Sequence, residues 1–142
     1  MEKEYVKYEQ AIALKELGLD EPCLAVYNNP EFMWARHLKG WEDHELDNVT
    51  NSIYAEGGFV TAPTFSQAFR WFREKYDISS YVDYYENSEK DKIWYFIIKD
   101  KDSESQFDGS DKTEYCDVPY FKTYEELESA CLDKLIEICK NK

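Results

Sequence analysis

The sequence predicts an α+β domain, with about three helices packed on a mostly antiparallel sheet of about four strands. Three observations carry this expectation. A capped aromatic helix over Thr64–Lys75 runs into two strands rich in tyrosine, tryptophan and isoleucine. The coarse order along the chain is helix, strand, insertion, strand, helix, hairpin, acidic loop, helix, with no internal repeat. The length, 142 residues, suits one domain spanning 1–142, enough to bury a core without disulfides or metal.

The first helix is read over Tyr8–Leu17. It stops where Gly18 can take the left-handed conformation and Leu19 can fold back toward Leu14. Asp20-Glu-Pro22 makes a turn, and the short apolar run Cys23–Tyr27 is of strand length. Residues 28–58 are an elaboration. Asn28-Asn-Pro30 breaks the strand, Glu31–Gly40 is read as a short helix around Phe32, Trp34 and Leu38, and Trp41–Asn51 is charged and weakly patterned. A second strand follows over Gly58–Thr61.

The central helix is the core-forming unit. Thr64 can accept the N–H of Gln67 while Gln67 reaches back to Thr64, and Pro63 keeps the preceding residue extended. Phe65, Phe69, Phe72 and Tyr76 recur at helical spacing with Ala68 beside them, opposite Ser66, Arg70, Arg73 and Glu74. Burying each phenylalanine contributes roughly 1.5–3 kcal/mol, so this face docks on other elements.

Tyr81–Glu86 and Lys92–Lys99 bracket the polar turn Asn87–Asp91, a hairpin signature. Ile93, Tyr95 and Ile97 point one way and Trp94, Phe96 and Ile98 the other. Apolar character on both faces marks a central strand, covered on one side by helices and on the other by aromatics, another element or a partner. Residues 100–119 form a second elaboration. Within it Asp100–Asp117 holds seven acidic residues against two lysines and reads as a loop or a long hairpin tip. The last helix, Thr123–Cys139, opens with a capping box, Thr123-Tyr-Glu-Glu126. Its stripe of Leu127, Cys131, Leu135 and Ile138, widened by Leu132, Ile136 and Cys139, is broad enough for deep burial.

Composition limits function. A hydrophobic share of 43%, with 8 Phe, 12 Tyr and 4 Trp, argues against disorder. A net charge of −13 disfavours direct contact with nucleic acid and favours partners with a basic surface, although acidity also keeps ordinary proteins dispersed. The first residues contain no apolar stretch resembling a signal peptide, and no apolar run has the length of a membrane span, which points to the cytoplasm and away from a membrane partner. Asn48-Val-Thr50 matches a glycosylation acceptor, which has no meaning without secretion. Cys23, Cys116, Cys131 and Cys139 form no C-x-x-C pair and read as small buried hydrophobes.

No pattern of established chemistry is present. His37 and His44 do not match a zinc spacing, neither histidine can be set beside a cysteine nucleophile from sequence, and Gly57-Gly58 is a turn before a strand. No catalytic residue, cofactor or resident metal is assigned. Asp100, Asp102, Glu104, Gln106, Asp108 and Asp111 fall at the ligand positions of a twelve-residue calcium loop. Ser105 stands where that loop requires glycine and Asp111 where it requires glutamate, so a solvated acidic loop is the favoured reading. Candidate partner-binding residues are therefore Arg70, Trp71 and Arg73 on a small basic patch beside Lys75, Trp94 on the double-sided strand, and the acidic Asp100, Asp102, Glu104, Asp108 and Asp111.

Three stretches, 13–23, 62–76 and 130–138, resemble a family of small uncharacterised proteins of bacteriophages and prophages of gut bacteria. The second, Ala62-Pro-Thr-Phe-Ser-Gln-Ala-Phe-Arg-Trp-Phe-Arg-Glu-Lys-Tyr76, is the most specific. Residues 28–58 and 100–119 look like insertions relative to shorter members. The resemblance implies a phage accessory protein in the host cytoplasm and carries no catalytic residues. Two readings stand open. One is an interaction protein that binds a host or phage protein, with imitation of nucleic-acid charge as one form. The other is a binder of small anionic ligands, or an enzyme, with tyrosines, Trp94 and Arg70 or Arg73 around a pocket.

Overall fold

In a computed structural model that describes residues 2–37, 49–52, 58–100, 107–108 and 121–142, helix α1 (Tyr8–Glu16) stops where Gly18 permits it. Gly18 has φ 98°, its N–H bonds Lys15 O at 3.0 Å, and the Leu19 N–H bonds Leu14 O at 2.9 Å. This is the Schellman closure that the sequence predicts. At the other end the Lys7 N–H donates to Gln10 Oε1 at 2.9 Å, which satisfies one donor of the first turn.

Among the described residues the fold is α+β, with three α-helices and antiparallel strands. The described strands are divided between two three-stranded sheets. The chain forms two compact units, one of Met1–Ala68 with Cys139–Lys142 and one of Phe69–Ile138.

In the first unit, β1 (Ala25–Asn28) pairs with β2 (Glu31–Trp34) and with β3 (Phe59–Ala62), in the order β2-β1-β3. The short helix expected from Glu31 is instead β2 followed by a single 3-10 turn, Ala35–His37. Asn29-Pro30 makes a two-residue reversal, with Asn28 opposite Glu31, and the chain returns along β1. Alternation then decides the packing. Phe32 and Trp34 join Tyr5, Tyr27, Ala25 and Ala62, whereas Met33 packs against Val26, Ala35 and Val49. Leu38 and Trp41, also assigned to this elaboration, lie outside the described residues.

Helix α2 (Phe65–Tyr76) begins with the reciprocal cap: the Thr64 N–H donates to Gln67 Oε1 at 3.0 Å and the Gln67 N–H donates to Thr64 Oγ1 at 3.2 Å. Its buried stripe is Phe65, Ala68, Trp71 and Phe72, with Phe69 and Tyr76 half-buried. Trp71 is thus turned inward and does not belong to the basic side. Asp77, at φ 55°, supplies the left-handed residue that redirects the chain into the hairpin.

In the second unit, β4 (Ile78–Glu86), β5 (Lys92–Asp100) and β6 (Phe107–Asp108) form a sheet in that order, which makes β5 central. The β4–β5 turn holds residues 87–91, and Asn87 Oδ1 accepts the N–H groups of Glu89 and Asp91, each at 2.9 Å. Helix α3 (Tyr124–Lys140) opens with the Glu126 N–H on Thr123 Oγ1 at 3.2 Å. It buries Leu127, Cys131, Leu132, Leu135, Ile136 and Cys139, the stripe read from the sequence without the half-buried Ile138. No helix among the described residues is long and apolar enough to cross a membrane.

Candidate interaction surface

Residues opposite one another in the β4–β5 ladder share a sheet face. On one face Ile78, Ser80, Val82 and Tyr84 stand against Asp100, Ile98, Phe96 and Trp94. Ile78, Phe96 and Ile98 are buried there, and the Phe96 ring stacks on Phe121 at 6.1 Å. Ser80 lies close enough to interact with the Cys131 thiol of α3. On the other face Tyr81, Asp83 and Tyr85 stand against Ile97, Tyr95 and Ile93, and none of these is fully buried.

Burial fades toward the turn. Among the described residues, the large hydrophobic side chains left exposed are Tyr81 at 54%, Tyr84 and Tyr124 at 41% each, Val82 at 38%, and Leu24. All but Leu24 gather on β4 and the first residue of α3. Tyr84 meets the Trp94 ring at 5.0 Å, and Trp94 meets Tyr124 edge-on at 5.4 Å. Such ring pairs contribute about 0.5–1.5 kcal/mol beyond burial, so the trio holds its shape while its outer rims remain in water.

Charges frame these rings. Lys92 Nζ lies 4.5 Å from the Tyr84 ring centre and Lys99 Nζ 5.4 Å from that of Tyr81. Burial and then the Glu128 carboxylate raise the Tyr124 phenol above its ordinary range. Glu128 is itself raised by burial, and its hydrogen bond with Tyr124 pulls the other way.

The described residues among those picked out from the sequence do not converge on one site. Trp94 sits at the centre of the exposed trio. Trp71, 6% exposed, contacts Phe72 and Tyr76, and Lys75 Nζ lies 4.9 Å from its ring centre. Arg70 pairs with Glu74 one turn on at 4.0 Å, and Arg73 is exposed on the same helix. Asp100 ends β5 opposite Ile78 and is half-buried. The backbone of Asp108 pairs with Ile97, and Asp102, Glu104 and Asp111 lie outside the described residues, as do His44 and Cys116. Among the described residues no cluster of three or more metal-ligating side chains gathers.

Tyr81, Val82, Tyr84 and Tyr124 are the surface residues that the sequence reading missed. One signal was available. Tyr81–Glu86 carries only one aliphatic residue, against three isoleucines in Lys92–Lys99, the contrast between an edge strand and a central one. Comparisons with protein-family models, curated proteins and solved structures found no match.

Proposed function

We propose that this chain is a small acidic accessory protein that binds a partner protein through the aromatic rim of the β4–β5 hairpin. The observation that carries this reading is the exposed cluster of Val82, Tyr84 and Tyr124 beside Trp94 on one face of the hairpin, with Tyr81 exposed on the other face of the same strand. Tyrosine and tryptophan are the residues on which interfaces concentrate their energy, and a contiguous exposed patch of them favours association.

The charge of −13 supplies the long-range component and favours a partner with a basic surface. A protein that ordinarily grips nucleic acid through such a surface fits this requirement, and the chain would then imitate nucleic-acid charge. The resemblance to phage proteins supports a host or phage protein as partner and the bacterial host cytoplasm as the setting. The other reading, an anionic-ligand site of tyrosines, Trp94 and Arg70 or Arg73, is less favoured because the tyrosines beside Trp94 are exposed and Arg70 already faces Glu74 at 4.0 Å.

The test is a tagged pull-down from bacterial host lysate, at low and at high salt, with the native chain beside a triple variant, Tyr81→Ser, Tyr84→Ser and Tyr124→Ser. All three positions are exposed, so the variant keeps the fold, which circular dichroism verifies. A protein retained by the native chain, released by salt and lost with the variant is the expected result. Equal retention by both chains would overturn the reading.

A further inference from the structure

The outer edge of β4 is open among the described residues, because the sheet order is β4-β5-β6 and no described strand lies beyond β4. The direction of its backbone groups follows from a pair on the far side of β5. Trp94 and Phe121 exchange both hydrogen bonds, N to O at 3.0 Å one way and 3.3 Å the other, so the Trp94 backbone points away from β4. In an antiparallel ladder these directions alternate. Ile93, Tyr95 and Ile97 therefore bond across to β4, where they face Tyr85, Asp83 and Tyr81. It follows that Ser80, Val82, Tyr84 and Glu86 turn their N–H and C=O groups outward.

Natural sheets guard such an edge with lysine, proline, a bulge or shortness. Strand β4 uses none of these: its nine residues include no lysine or proline, and its register runs unbroken from Ile78 opposite Asp100 to Glu86 opposite Lys92. One local guard exists. The Asp83 carboxylate accepts the Tyr84 N–H at 2.8 Å, holding an outward donor that an incoming carbonyl would take over.

We infer that β4 receives an extended segment of a basic partner protein as an added antiparallel or parallel strand, with its lysines or arginines beside Asp83 on one face or Glu86 on the other. Charge selects this occupant over a second copy of the chain. Strand β4 carries two acidic residues and no basic one, so a second β4 would bring like charges to the seam, on a protein already at −13. A lysine-bearing segment places the opposite charge there. The inference rests on the interaction reading above and specifies how the partner docks.

The probe is a synthetic eight-residue peptide of alternating lysine and valine. Its comparator has the same sequence N-methylated at four consecutive central residues, which keeps the charge but removes backbone donors from both peptide edges. Amide NMR of the labelled full chain at low salt reads both titrations. The expected result is at least tenfold slower hydrogen exchange at Val82 and Tyr84 with the first peptide, and at least tenfold weaker binding of the second. Val82→Pro, which removes an outward donor and leaves the bonds to β5 in place, is expected to lower affinity for the first peptide by a similar factor.

Equal binding of the two peptides, or no binding of either, overturns strand addition, and the peptide comparison does not depend on the variant folding. The interaction reading is judged separately, by loss of the lysate partner in the triple tyrosine variant. A partner lost with that variant and fully retained by Val82→Pro would leave the reading standing and remove the strand.

Discussion

Asn51 Oδ1 accepts the N–H of Thr61 at 2.9 Å, and both residues are buried. The Asn51 amide nitrogen donates to Leu19 O at 2.8 Å, so one side chain joins the segment after α1 to strand β3. Truncation to alanine strands a buried donor and a buried acceptor, each costing about 1–3 kcal/mol. Asn51→Ala is expected to lower the unfolding free energy by on the order of 3 kcal/mol in urea melts. A loss below about 0.5 kcal/mol, the range of an ordinary surface change, would show that the bridge contributes little.

Trp71 and Arg73 lie two residues apart and are expected to behave oppositely. Trp71 is buried against Phe72 and Tyr76, so Trp71→Ala is expected to destabilise by about 3–5 kcal/mol. Arg73 is exposed, and Arg73→Ala is expected to stay within about 0.5 kcal/mol. Thermal melts of the two variants check the pair. Little destabilisation by the first, with loss of partner binding instead, would return Trp71 to the surface.

Two thiols are expected to make stability fall at high pH. Burial pushes Cys23 up to about 11, with Thr61 opposing and Glu21 adding, and pushes Cys131 up to about 12, with Ser80 opposing and Glu128 adding. Both folded values lie above the ordinary thiol value of 9.0. The folded state therefore holds these protons where the unfolded chain releases them. Their contribution is whole below about pH 9 and is lost as pH rises toward 11 and 12. Between pH 8 and pH 10 the two together are expected to remove on the order of 2 kcal/mol, measured by urea melts. The double variant Cys23→Ala, Cys131→Ala should lose this slope, and an unchanged slope would assign it to other groups.

Local physical chemistry was legible wherever a residue's role depends on near neighbours in the chain. The Thr64–Gln67 cap, the Gly18 stop and the Asn87–Asp91 turn are satisfied by bonds spanning a few residues. The hairpin was legible as well, although β4 begins three residues earlier than the alternation suggested, because Asp77 turns the chain directly out of α2. Phe32 and Trp34 fit a helical and an alternating pattern equally, and pairing with β1 decided between them. Of the candidate surface, Trp94 was legible from its double-sided strand, whereas Tyr84 and Tyr124 were not.

By itself, the sequence determined helices α1, α2 and α3 with the Gly18 stop and the Thr64 and Thr123 caps, the hairpin turn and the acidic excess, all properties of short windows or of composition. Only the tertiary structure decided that the strands form two sheets, that Trp71 turns inward, and that β4 stands at an edge with Tyr81, Val82 and Tyr84 in water. Exposure is a relation between segments distant in the chain. Whether a tyrosine ends in the core or on a rim depends on which strand pairs beside it and which helix covers it, and no local window contains that information.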